Sequence, residues 1–203
     1  ESGDVLLQQI CERLKRTLRD HDLVARWSGD EFSVLLKGHG LGRSIHFITK
    51  RLLDVLSATA FVINEQEVFS SVCIGISLSE GQDRANALIQ DADIALQKAK
   101  RKGHSNYEIF IRAMQKDARE RLELQTALRR SLVNRDFILH YQPIISTSSN
   151  KVAYFEALVR WNHPEKGLLS PATFIPLAEE TNLIVPLGWQ MLHQACRQLV
   201  EWK

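Results

Sequence analysis

The sequence has 203 residues, of which 44% are hydrophobic, so it is long enough for one or two domains with sizeable cores. Its 26 Lys and Arg residues nearly balance 24 Asp and Glu residues, which leaves no broad positive field for nucleic acid. Every apolar run is shorter than the roughly 18 residues that cross a bilayer, and the start "ESGD" differs from a signal peptide. We therefore expect these residues to contact neither nucleic acid nor a membrane.

The three cysteines, Cys11, Cys73 and Cys196, lie far apart in the sequence. Their spacing does not match metal-ligand motifs, and an odd number of cysteines cannot pair completely in disulfides. This usage favours a reducing compartment, so the expected location is the cytoplasm. Whether further segments anchor the protein to a membrane stays open.

The first half of the chain alternates helical and strand-like patterns. Apolar residues at helical spacing predict a helix from Asp4 to about Arg19. The runs "LVARW" and "EFSVLL" flank a Ser-Gly-Asp turn and predict a β-hairpin. A helix over residues 43–58 and a second hairpin in "FVINEQEVFSSVCIGISL" follow, and the long second arm of that hairpin is apolar enough for a buried strand. Residues 84–102 predict a helix that ends at Gly103, which completes an α+β pattern.

The second half begins with dense alternating charge over residues 112–133, which predicts a helical linker between domains. "FILHYQPII" and "KVAYFEALVRW" predict strands, and two helices follow, one that begins at Ser170 and one over residues 187–202. No internal repeat joins the halves, so we expect two different domains, 1–110 and 111–203. Apolar residues predicted to lie in the core of the second half are Trp161, Phe174, Met191, Leu192 and Trp202.

The turn in "RWSGDEFSVLL" supports two interpretations. Asp30 and Glu31 are typical of a solvated hairpin turn. Gly29 allows positive φ, and Ser28 adds a hydroxyl, so exposed N–H groups there suit phosphate oxygens. Asp30 suits Mg²⁺, which favours a carboxylate together with phosphate oxygens. The residues alone leave both interpretations open.

The segments "LRDHDLVARWSGDEFSVLL" and "GISLSEGQDRANALIQDADIALQKAKRKG" resemble the diguanylate cyclase, or GGDEF, family over residues 1 to about 110. The resemblance implies that "SGDEF" contacts GTP through Ser28 and Gly29. It also implies that Asp30 is a catalytic metal ligand and that Glu31 is the next acidic, catalytic position. Serine at position 28 replaces the first glycine of the family motif, a substitution that restricts φ.

The same resemblance implies functions for two further sites that contain basic residues. Arg19 and Asp22, three residues apart, form a surface salt bridge in the ordinary case, but the resemblance implies an inhibitory site that holds cyclic di-GMP. Cations at the end of the helix over 84–102 complement its dipole, and the resemblance assigns Lys100 among them to the GTP phosphates. His104 stands where the family has a second phosphate-binding cation.

The GGDEF resemblance begins inside the family's domain. The first strand and helix, with another metal-binding aspartate and the guanine-reading Asn and Asp, have no counterpart before "ESGDVLL". We therefore expect a fragment of a larger protein, and we expect the fragment alone to be inactive.

In the second half, "YQPIIS" and "YFEALVRWNHPEKGLLSPATFIPLAEETNLI" resemble the EAL family, cyclic di-GMP phosphodiesterases with a TIM-like α/β barrel. Strand alternation places Glu156 and Arg160 on one face, where a buried ion pair explains them as well as a site does. The resemblance implies that Glu156 is a catalytic ligand of Mg²⁺ or Mn²⁺. It implies that Gln142 and Arg160 contact the bound dinucleotide. His163, beside Pro164, is expected to be a turn residue.

Three functions follow as hypotheses. The parent protein hydrolyses cyclic di-GMP through its EAL domain, with a GGDEF domain whose cyclase activity stays open. Alternatively, it is a non-catalytic receptor for cyclic di-GMP or GTP. The third hypothesis is a dimerisation module, since cyclase chemistry needs two domains that each present one GTP, and a homodimer is therefore expected.

Overall fold

The computed structural model describes residues 2–38, 41–79, 81 and 83–202. The helices are α1 (Ser2–Thr17), α2 (Leu41–Leu53), α3 (Ala85–Lys102), α4 (Ala113–Asn134), α5 (Pro171–Glu180) and α6 (Ile184–Glu201). The strands are β1 (Leu23–Ser28), β2 (Glu31–Leu35), β3 (Phe61–Ile63), β4 (Gln66–Val68), β5 (Ile74–Ile76), β6 (Tyr107–Ile109), β7 (Phe137–Ile145), β8 (Val152–His163) and β9 (Gly167–Leu169). The chain forms two compact units, Glu1–Lys116 and Asp117–Lys203.

The first unit packs α1 against the end of α2 and the first hairpin. Its buried core residues are Leu14, Leu52, Leu56 and Phe61. Val24 of β1 and Phe32 of β2 pack against this core. A π-helical segment, Asp54–Ala58, continues α2, and Arg13 of α1 donates to the carbonyl oxygens of Val55 at 3.1 Å and Thr59 at 2.7 Å. The guanidinium of Arg13 therefore ties α1 to carbonyls that the end of this helix leaves open.

The predicted long second arm of the second hairpin is wrong. After the short antiparallel pair β3–β4, residues 69–73 leave the strand, and β5 pairs in parallel with β6 instead. Helix α3 connects β5 to β6, as parallel pairing requires a crossover. A Cβ at Gly75 would lie 2.1 Å from the carbonyl oxygen of Ala92, so α3 packs directly on the β5 backbone. Within the predicted arm, β4 pairs with β3 and β5 pairs with β6, so no single strand spans the apolar run.

The second unit contains an antiparallel sheet in the order β7-β8-β9. The β7–β8 register runs from Phe137 opposite Trp161 to Ile145 opposite Val152. Phe137, Trp161 and Phe174 form a buried aromatic cluster with ring centroids 5.5 to 5.7 Å apart. The face of the sheet that carries Phe137 and Trp161 therefore packs on the apolar core.

Two residues predicted to lie in this core are outside it. Leu192 is 54% exposed and Trp202 is 48% exposed. The ring of Trp202 contacts Tyr141 and Phe155 at centroid distances of 4.8 and 4.7 Å. Leu192 lies in α6 and Trp202 directly follows its last residue, and helical spacing in the sequence does not tell which face of a helix is covered.

The charged segment that predicted a linker is α4, and the division between the units falls inside this helix. Within the described ranges, no helix combines the length and apolar character that crossing a membrane needs. All three cysteines are free thiols, with Cys196 exposed and the other two half-buried.

Candidate functional site

The first candidate site is the tip of the β1–β2 hairpin. Ser28 and Glu31 are paired across the strands, so Gly29 and Asp30 form a two-residue turn. Gly29 has a φ of +50°, whereas Ser28 and Asp30 are not among the described residues with positive φ. Glycine at the first central position is the requirement of a type II′ turn. The expected restriction from Ser28 is therefore without consequence here, because Ser28 lies in the extended strand.

A β-bulge determines which side chains share a face at this tip. The register passes from Arg26 opposite Phe32 to Ser28 opposite Glu31, and Trp27 is the extra residue. Arg26 therefore shares the face of Phe32, which packs on the core, while Ser28 and Glu31 occupy the other face. Arg26 is not among the site residues predicted from the sequence, since no residue type in "ARWSGDEF" signals the bulge.

Lys100 reaches this second face from the last turn of α3. Its Nζ lies 3.2 Å from Oε1 of Glu31, and the two side chains are 48% and 37% exposed. The structure thus brings together two predicted site residues that are 69 positions apart. An ion pair this exposed stabilises the fold by roughly 0.2–1 kcal/mol, so both groups remain available to a ligand.

Arg19 and Asp22 lie at the opposite end of the same hairpin, where Leu23 pairs with Leu35. Strand geometry separates this end from the Gly29 turn by about 15 Å. Asp22 Oδ2 accepts the backbone N–H of Arg19 at 3.0 Å, and its Oδ1 accepts that of Lys37 at 3.1 Å. The carboxylate therefore closes the base of the hairpin through backbone groups, while the Arg19 side chain is exposed.

These contacts lower the pKa of Asp22. Burial acts to raise the pKa of the carboxyl, but the hydrogen bonds from the Arg19 and Lys37 backbones, with the positive charges of His21 and Arg19, outweigh it. The pKa of Asp22 consequently lies below its ordinary value of 3.8.

The second candidate site is on the β7–β8 hairpin of the other unit. Gln142 lies directly opposite Glu156, so their Cβ atoms are about 5 Å apart on the face turned away from Phe137 and Trp161. Both side chains are exposed. A carboxylate and an amide thus meet on the side of the sheet that the core leaves open.

Arg160 lies on the same face, four residues and about 13 Å along β8 from Glu156. Its Nη1 donates to the carbonyl oxygen of Val159 at 2.8 Å. Because Glu156 is exposed and Arg160 bonds to the backbone, the buried ion pair considered for these two residues is wrong.

His163 was expected to lie in a turn, but it is the last residue of β8, pairs with Gly167 and precedes the turn. Its buried ring accepts the backbone N–H groups of Glu165 and Lys166 at Nδ1, both at 3.1 Å, and packs against Trp161. This histidine thus holds the turn between β8 and β9.

The donor chemistry at both sites fits a hard divalent cation. The hairpin tip offers the adjacent carboxylates of Asp30 and Glu31, and the second site offers the carboxylate of Glu156 beside the neutral amide of Gln142. In the part of the chain that the structure describes, no group of three or more His, Cys, Asp or Glu side chains gathers around one point. Mg²⁺ is ordinarily held by one or two protein carboxylates with phosphate oxygens and waters, which matches these sites.

Two family models match the sequence. The model for the diguanylate cyclase GGDEF domain matches residues 1–106, and the model for the EAL domain matches residues 125–203. Among solved structures, the GGDEF domain of TpbB (YfiN) from Pseudomonas aeruginosa is 31% identical, with a TM-score of 0.55 over 58% of this chain and 69% of that chain.

Curated relatives align along the whole sequence. The bifunctional diguanylate cyclase/cyclic di-GMP phosphodiesterase MucR of Pseudomonas aeruginosa is 38% identical over 98% of this chain and 29% of MucR. The cyclic di-GMP phosphodiesterase PdeR of Escherichia coli is 38% identical over 99% of this chain and 30% of PdeR. The chain spans between 24% and 32% of the length of the curated relatives it matches.

Proposed function

Because the chain belongs to the GGDEF family of diguanylate cyclase domains and continues into an EAL domain, we propose that its protein hydrolyses cyclic di-GMP to a linear dinucleotide. The observation that carries this proposal is the direct pairing of Gln142 with Glu156 on the open face of the β7–β8 sheet. The motif from Glu156 to Arg160, "EALVR", keeps the full EAL pattern. Hydrolysis is therefore the favoured activity of the two that the relatives' names describe.

In this proposal each residue of the second site has one task. Glu156 would hold a divalent cation, Mg²⁺ or Mn²⁺. When bound, such an ion would polarise a phosphate of the substrate and lower the pKa of a water. Gln142 donates its amide N–H to the dinucleotide beside Glu156, and the guanidinium of Arg160 binds a more distant anionic or guanine edge. Phosphodiester hydrolysis often uses two metal ions, and one carboxylate cannot hold both, so this proposal requires further protein ligands.

The sheet geometry also supports an EAL-type barrel, which we propose as the complete fold of the second unit. On one edge of β8, β9 pairs only with the last three residues, Trp161 to His163. Among the described strands, none pairs with the rest of that edge, and unpaired strand edges are normally covered or paired. Further strands on this edge would allow the sheet to close into a barrel, with the face that carries Glu156 on the inside.

For the first unit we propose a nucleotide-binding role at the hairpin tip. Asp30 and Glu31 hold the metal, and Ser28, Gly29 and Lys100 contact the phosphates of GTP. Cyclic di-GMP binds at the other end of the hairpin through Arg19 and Asp22. The about 15 Å between the two ends allows both ligands to bind together. We place this activity in the cytoplasm, in a homodimer.

A receptor function is the second candidate, because Gln142 and Arg160 offer an amide and a guanidinium on one face of the sheet. Such groups recognise a phosphate or a guanine edge without any catalytic step. A receptor would bind cyclic di-GMP without turning it over. Sedimentation at several concentrations tests the homodimer that either function includes.

The decisive experiment measures hydrolysis of cyclic di-GMP by the full-length protein with Mg²⁺ or Mn²⁺. Glu156→Gln is expected to lower kcat at least about a hundredfold, because bound metal contributes several kcal/mol to the transition state. Glu179→Gln, which changes an exposed carboxylate on α5, serves as the matched control and is expected to retain activity. Binding without hydrolysis in the wild type would favour the receptor, and hydrolysis that survives Glu156→Gln would contradict the assigned site.

A further inference from the structure

The guanidinium of Arg26 is bonded to the turn that it precedes. Its Nε donates to the carbonyl oxygen of Gly29 at 2.9 Å. Because of the bulge at Trp27, Arg26 makes this contact from the face that carries Phe32, opposite to the face of Ser28 and Glu31.

This bond fixes the direction of a neighbouring backbone donor. The carbonyl of Gly29 and the N–H of Asp30 belong to one peptide unit. Since that unit is planar and trans, the two bonds point in opposite directions. With the carbonyl of Gly29 held toward Arg26, the N–H of Asp30 points toward the face where Glu31 and Lys100 meet.

The Gly29–Asp30 peptide can take two orientations, which correspond to two types of turn. Type I′ and type II′ turns both place the first central residue at positive φ, and they differ by a flip of the central peptide. Gly29 at φ +50° with no positive φ at Asp30 corresponds to the II′ state. Glycine makes the flip easy, so a contact to its carbonyl oxygen decides which state is populated.

We propose that Arg26 is a positioning residue, which turns the Gly29–Asp30 peptide so that the Asp30 N–H binds the phosphate chain of a nucleoside triphosphate. Ser28, Glu31 and Lys100 line the same face, so the oriented N–H joins a hydroxyl and an ammonium around the anion. The inference rests on the proposed binding of GTP by the first unit and assigns to Arg26 a role that this binding does not itself require.

Direct binding of phosphate by Arg26 is the competing explanation. Its guanidinium lies on the opposite face from Lys100 and is already bonded to a carbonyl oxygen. The two explanations differ in whether Arg26 makes an ionic contact with the ligand. A positioning residue adds no ionic contact to the ligand, whereas a direct contact adds one that salt screens.

The first experiment measures the affinity of the full-length protein for a non-hydrolysable GTP analogue with Mg²⁺ by calorimetry. Arg26→Gln is expected to weaken binding about three- to tenfold, the value of one hydrogen bond. Arg16→Gln, on α1 and 83% exposed in its side chain, removes the same charge away from the hairpin and is expected to leave the affinity unchanged. The slope of affinity against salt is expected to be equal in both variants, and a smaller slope in Arg26→Gln alone would establish the direct contact instead.

The second experiment examines the peptide itself without ligand. Labelling with ¹³C-carbonyl glycine and ¹⁵N-aspartate selects Gly–Asp peptides, of which this chain has two, Gly3–Asp4 and Gly29–Asp30. Arg26→Gln is expected to shift the Gly29–Asp30 signal and leave that of Gly3–Asp4 in place, at an unchanged melting temperature.

Each outcome decides the proposal. An unmoved Gly29–Asp30 signal, or a moved signal with unchanged affinity, overturns the positioning role of Arg26. Absence of GTP binding in the wild type overturns the nucleotide site together with it, which separates the two failures.

Discussion

The two hairpins place their polar residues by different physical means. In β7–β8 the register is regular around the site, so Gln142 and Glu156 meet simply because strand residues alternate between faces. In β1–β2 a bulge and a two-residue turn decide the arrangement, and Arg26 and Ser28 fall on opposite faces despite their even spacing. The first arrangement depends on a packed sheet, and the second depends on a few backbone angles.

From this difference we expect the largest loss of stability from a substitution in the packed sheet of the second unit. Phe137, which is 1% exposed and stacks on Trp161, anchors β7. Phe137→Ala is expected to lower the free energy of unfolding by about 3–5 kcal/mol, because it leaves a cavity in the aromatic cluster. Urea denaturation measures this change in the free energy of unfolding. Ile144→Ala, on the open face of the same strand and 47% exposed, is the control, and an equal loss there would contradict the division of the two faces.

The sequence predicts the arrangement of β7–β8 better than that of β1–β2. Alternation in "FEALVRW" gives the face of Glu156 directly, and the apolar residue types on the other face identify the core. The Glu31–Lys100 contact depends on long-range packing, and the bulge at Trp27 has no local composition signal. Likewise the parallel pairing of β5 with β6 requires α3 as a crossover, which short apolar runs do not reveal.

Two substitutions at the tip of β1–β2 test the backbone conformations of Gly29 and Ser28. Gly29→Ala is expected to cost about 1–2 kcal/mol, since φ is +50° there and nothing lies within 4 Å of the added Cβ to add a clash. Ser28→Gly, which restores the family's glycine, is expected to destabilise by roughly 0.5 kcal/mol, because glycine loses more entropy in a strand. Thermal unfolding compares them. A gain in stability from Ser28→Gly would contradict the extended conformation of Ser28.

The base of the same hairpin predicts a pH dependence. Because the folded pKa of Asp22 is lowered, its stabilising contribution is complete above the unfolded value near 3.8 and is lost as pH falls through the folded pKa. Asp22→Asn is expected to reduce stability by about 1 kcal/mol at neutral pH through weaker backbone hydrogen bonds. The difference between wild type and variant is expected to shrink below about pH 4. Urea midpoints at several pH values test this, and a pH-independent difference would contradict the role of the charge.

The smallest effect on stability is expected at the solvent-exposed ion pair between Glu31 and Lys100. A double-mutant cycle on Glu31→Gln and Lys100→Gln is expected to give a coupling energy of about 0.2–1 kcal/mol, decreasing as salt is added. Removal of either partner is expected to cost little stability, since both groups keep their hydration. A coupling well above this range would mean that the pair holds α3 to the hairpin as a structural element. A weak coupling instead leaves the ammonium of Lys100 free to exchange Glu31 for a phosphate, as a ligand-binding role at the tip requires.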